Sequence, residues 1–144
     1  MHGSFFSSNE TGMRIFLLAG LIIVTSCGGS VVSKKLAVAD SLVITFNIPN
    51  SDSVIKTVST TEGKAIQKFI SLVDGKKGEL YKCGYDGNMV FYSKGEIVLP
   101  VIFKYTEEGC RHFLFDMDNK VMSTEMTIEG AELLKSLVEG KEWY

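Results

Sequence analysis

The chain has 144 residues, room for one domain. Its 45% apolar and 22% charged content suits a folded globular protein and argues against disorder. A formal charge of −2 excludes the strongly basic face that nucleic acid or anionic lipid would attract along the whole molecule.

The long apolar run is Ile15–Val24, preceded by Arg14 and followed by Thr25-Ser26-Cys27. Ten residues at helical rise span about 15 Å, half of a hydrocarbon core, too short for a stable membrane helix. The length suits the h-region of a signal peptide with one basic residue before it. Met13 is a natural start for such a segment, because residues 1–12 contain no lysine or arginine.

Val24-Thr25-Ser26-Cys27 resembles the lipobox of bacterial lipoproteins: an aliphatic residue, small residues, then cysteine. The resemblance covers about 15 residues of this chain. It implies a diacylglyceryl group on the Cys27 thiol and cleavage directly before it. Residues 1–26 would then be a removed signal peptide, and 27–35 the lipidated cysteine and a tether opening on Gly28-Gly29-Ser30. Gly28 is not the aspartate that resembles an inner-membrane retention signal. The expected address is therefore the periplasmic face of the outer membrane, with the membrane itself as a partner through the lipid on Cys27.

With Cys27 acylated, Cys83 and Cys110 remain as an even pair in an oxidising compartment, so a disulfide between them is expected. Two thiolates and one histidine fall short of a closed zinc site. No cofactor is expected.

Residues 36–144 read as a single α+β domain. Leu42, Ile44, Phe46 and Ile48 alternate as a strand over 36–48, and Val54–Ser59 reads as a second. Ser59 and Glu62 have capping-box spacing ahead of a helix with Ile66, Phe69, Ile70 and Val73 on one face, stopped by Asp74-Gly75. From 79 to 124 the period changes to two. Tyr81, Cys83 and Tyr85 alternate up to Asp86-Gly87, a hairpin signal, with Met89–Tyr92 as the return strand. Ile97–Tyr105 is the most apolar strand, its Pro100 requiring a bulge or an unpaired edge. Cys110–Met117 and Val121–Thr124 follow, joined at Asp118-Asn119. A closing helix over 128–139 has Thr127 as N-cap and Gly140 as stop.

The order β-β-α-β-β-β-β-α implies an antiparallel meander with two helices packed on one face. It resembles the element order of TATA-binding-protein-like and cystatin-like folds, a likeness that carries no function. A flat meander places Cys83 and Cys110 three strands, about 14 Å, apart. A disulfide therefore requires a strongly coiled sheet or a non-sequential strand order.

No motif for catalysis emerges. His112 alternates with Phe113 and Phe115, which places it on a solvent face without an orienting acid or nucleophile in sight. Asp116, Asp118 and Asn119 open like a calcium loop but lack its glycine and closing glutamate. The expected role is a non-catalytic binding or interaction module for an envelope protein or small ligand, without nucleic acid. The rival role is a structural subunit of an envelope assembly. Candidate contact residues are Tyr92 and Ile102 on the outer sheet face and Trp143 and Tyr144 at the end of the chain.

Overall fold

The computed structural model describes residues 29–144. Cys27 and the expected signal peptide lie outside the described residues. The elements are α1 (Val31–Leu36), β1 (Ser41–Asn47), β2 (Val54–Thr60), α2 (Gly63–Val73), β3 (Gly87–Ser93), β4 (Glu96–Lys104), β5 (His112–Met117), β6 (Lys120–Glu125) and α3 (Ile128–Val138). The six strands form one antiparallel sheet in the order β2-β1-β3-β4-β5-β6, and the helices pack on one face. The protein is α+β.

Alternation decides which face is covered. Leu42, Ile44 and Phe46 of β1, Met89 and Phe91 of β3, Leu99, Val101 and Phe103 of β4, and Phe113 and Phe115 of β5 all point inward. They meet Ile66, Phe69, Ile70 and Val73 of α2 and Ala131, Leu134 and Leu137 of α3 in one core. Thr127 caps α3 as expected, its hydroxyl accepting from the Gly130 N–H at 3.1 Å. Two hairpins turn through left-handed pairs, Lys94-Gly95 and Asp118-Asn119, the backbone that suits two-residue connections. The acids at 116–119 thus serve a strand and its turn.

Several expectations need correction. The tether does not extend to residue 35, and residue 36 is not in a strand: Val31–Leu36 is helical. Ser30 caps it, and Val32 and Leu36, one turn apart, enter the core. The Ser30 and Ser33 hydroxyls both donate to the Asp74 carboxylate at the end of α2. The capping box at Ser59 and Glu62 does not form. β2 runs on to Thr60, so Glu62 becomes the N-cap without a side-chain bond, and the Thr60 hydroxyl accepts its N–H at 3.1 Å.

Residues 79–85 are not a strand, and Asp86-Gly87 is not a hairpin turn. The whole connection 74–86 is a strap that leaves α2 and pairs briefly with the edge of β6. The Gly78 N–H donates to Ser123 O and the Glu125 N–H to Lys76 O. The strap then crosses the far face of the sheet to enter β3 at Gly87. Gly87 is buried, and a Cβ there would lie 2.2 Å from Thr45 O, so only glycine admits this close approach.

The disulfide Cys83–Cys110 forms, with Cα atoms 6.2 Å apart. Neither a coiled sheet nor a shuffled strand order is needed, because Cys83 lies in the strap above the β4–β5 connection. Pro100 sits where β4 has no neighbour on its other side, since β5 pairs with β4 only from Ile102 to Lys104. Its missing N–H therefore costs no ladder bond on that side, and the register shift between Phe91 and Tyr92 lies nearer the start of β4.

Candidate functional site

The strap covers the polar centre of the molecule. Register places Asp86, Lys104 and His112 on the sheet face opposite the helices, and the strap buries all three. Lys104 Nζ donates to Asp86 Oδ1 at 3.1 Å. The other carboxylate oxygen accepts from the Tyr105 N–H at 2.8 Å, the Thr106 N–H at 2.9 Å and the Thr106 hydroxyl at 2.8 Å. Burial pushes the Asp86 carboxyl up, but these hydrogen bonds and the Lys104 ammonium outweigh it and hold the group below its ordinary value. Four donors and 1% exposure leave Asp86 no capacity for a substrate.

His112 is likewise not on a solvent face. It is buried, its Nδ1 donates to Cys110 O at 2.6 Å, and its ring stacks on Tyr81 with centroids 4.8 Å apart. His112 does lie on the face opposite Phe113 and Phe115, but the strap, through Tyr81, covers that face. Among the described residues, no three of His, Cys, Asp and Glu gather as metal ligands.

Two exposed surfaces remain. One is a groove between α2 and α3 of about 630 Å³, within the range of ligand pockets. Lys64, Gln67, Lys68 and Ser71 form one wall and Glu129, Glu132, Leu133 and Ser136 the other, each set at helical i, i+3, i+4, i+7 spacing. An ion pair between Lys68 and Glu129 bridges the walls. Tyr144 closes one end: its hydroxyl donates to Glu62 Oε2 at 2.8 Å, and Lys64 Nζ lies 4.3 Å from its ring centroid. Trp143 is half-buried and packs edge-on against Phe69 at 5.8 Å, so it fastens the chain end to the body. Of the two terminal aromatics, Tyr144 alone lines the groove.

The other surface is the outer sheet face beyond the strap. Tyr92 is half-buried there and Ile102 is 43% exposed. Ile102 lies opposite Asn88 in the register, four residues from Tyr92, or about 13 Å along the strand. Val90 and Pro100 fill the interval, and Leu114 continues the apolar strip from β5. The groove was not legible as a site in sequence. Its lining is a set of solvated helix positions, and only the closing angle of two helices makes them concave.

No family model matches the chain, and neither a characterised protein nor a solved structure matches it. The likeness in element order to the TATA-binding-protein and cystatin folds therefore carries no argument. Among the described residues, no helix is long and apolar enough to cross a membrane.

Proposed function

We propose that the protein is an envelope lipoprotein whose domain is a non-catalytic binding module, held at the membrane by lipid on Cys27. The lipobox-like Val24-Thr25-Ser26-Cys27 supports the anchor, and Gly28 after it favours the periplasmic face of the outer membrane. The observation that carries the binding role is the α2–α3 groove. It is concave, with Leu133 in its lining and Tyr144 at one end, and has Lys64 and Lys68 on one wall and Glu129 and Glu132 on the other. Such a surface accepts an extended peptide segment carrying both charges, with its apolar side chains against Leu133 and Tyr144.

The test is capture from solubilised envelope by the acylated protein, against two controls. A Cys27→Ala protein reports on the anchor, and a Leu133→Arg protein, checked by circular dichroism for native fold because Leu133 also packs against the core, blocks the groove. A partner retained by the native protein and lost with Leu133→Arg supports the reading; equal capture by both sinks it.

A second reading, a structural subunit of an envelope assembly, rests on the apolar strip through Tyr92, Val90, Pro100 and Ile102 on the outer sheet face. An exposed apolar patch of this kind suits burial against another subunit. In that case Ile102→Glu, not Leu133→Arg, abolishes capture.

A further inference from the structure

The helix α1 fixes where the chain enters the domain, and that point has consequences for how a lipid-anchored protein sits. Ser30 and Ser33 are bonded to Asp74, so the entry point is pinned to the end of α2. Only Gly28 and Gly29 separate Ser30 from Cys27. Whatever path they take, three residue steps reach at most about 11 Å. A domain of this size has a radius of gyration of about 13 Å. An anchor that short cannot let it tumble freely above a bilayer. The surface around Ser30 must face the headgroups.

That surface has the chemistry of a lipid-facing one. On α1, Val31, Lys34 and Lys35 form the solvent side, opposite Val32 and Leu36. After Asp74-Gly75 come Lys76 and Lys77, both exposed. Leu80 follows, 63% exposed. Between the strap and β6 a hollow of about 340 Å³ is lined by Lys77, Leu80, Lys120 and Val121. Val31 and Leu80 are each more than half exposed and each stands among exposed lysines. Of the neighbouring carboxylates, Asp74 is taken up by the two serines, while Glu79, Asp116, Asp118 and Glu125 are exposed, four against the five lysines 34, 35, 76, 77 and 120. The lysines outnumber them in a protein whose total charge is negative.

We propose that this corner, α1 with the start of the strap, lies on an anionic phospholipid surface. Lys34, Lys35, Lys76 and Lys77 would meet the headgroups, with Val31 and Leu80 at the acyl boundary. The inference rests on the reading of Cys27 as the anchor and adds an orientation to it. The α2–α3 groove is built from other residues and remains open for a partner.

The test uses the full acylated protein in phosphatidylcholine vesicles, with and without phosphatidylglycerol, read by hydrogen–deuterium exchange. Peptides covering 31–38 and 74–80 should exchange more slowly on anionic vesicles than in detergent, while the 105–110 connection is unchanged. Replacing Lys34, Lys76 and Lys77 by Glu should remove that protection, each lysine near an anionic surface contributing about fivefold. Circular dichroism confirms that the variant is folded. Acylation at Cys27 without protection at these peptides, or protection equal in the variant, overturns the orientation alone. Absence of the acyl mass at Cys27 overturns the anchor and the orientation together.

Discussion

Lys104 and Asp86 form an ion pair of 3.1 Å in which the two side chains are only 4% and 1% exposed. The pair joins the last residue of the strap to the end of β4. Its remaining lone pairs are filled by Tyr105 and Thr106, so the charges are compensated within a closed network. Removing the lysine leaves the buried carboxylate without its countercharge. Lys104→Met should therefore destabilise the domain by about 3–5 kcal/mol, measured by urea unfolding. The double variant Asp86→Asn with Lys104→Met should recover part of that loss.

The same carboxylate sets an acid limit. Because its folded-state pKa is lowered, the native protein binds fewer protons than the unfolded chain between the two values. Its contribution is fully present above the ordinary aspartate value of about 4 and is lost as pH falls through the lower folded value. The stability gap between native protein and Asp86→Asn should thus stay constant from neutral pH to about 5 and narrow below 4. A gap that widens on acidification contradicts this assignment.

The disulfide ties the strap to the β4–β5 connection over a sequence separation of 27. On the chain-entropy model the closed loop contributes roughly 3–4 kcal/mol. Cys83→Ser with Cys110→Ser should lower stability by that order. Exchange should rise first at Tyr81 and His112, whose stack the bond holds in place.

Leu36 decides whether α1 belongs to the domain. It is fully buried, so Leu36→Ala should cost about 2–5 kcal/mol in thermal or urea unfolding. A tether residue at that position would give no change.

Much of this fold was legible in sequence, and the misreadings have a common cause. The alternation of Leu42, Ile44 and Phe46, the Phe113, Phe115 and Met117 face, and the Thr127-capped helix are local patterns that the core then confirms. α1 was missed because six residues carry too little periodicity. Its helix depends on Asp74, 44 residues from Ser30. The strap imitates a strand through Tyr81, Cys83 and Tyr85, but these side chains answer to His112, Cys110 and Asp52 rather than to a sheet. Asp86 has the look of a turn residue, and its carboxylate is spent on residues 18 to 20 positions later. The groove is a property of two helices together, so neither helix sequence displays it.

The central claim is that the working protein begins at an acylated Cys27. Mass spectrometry of the mature N-terminus, isolated from envelope, tests it most directly. The expected result is a terminus at residue 27 with a diacylglyceryl mass on its sulfur; an unmodified chain beginning at Met1 or Met13 contradicts the anchor.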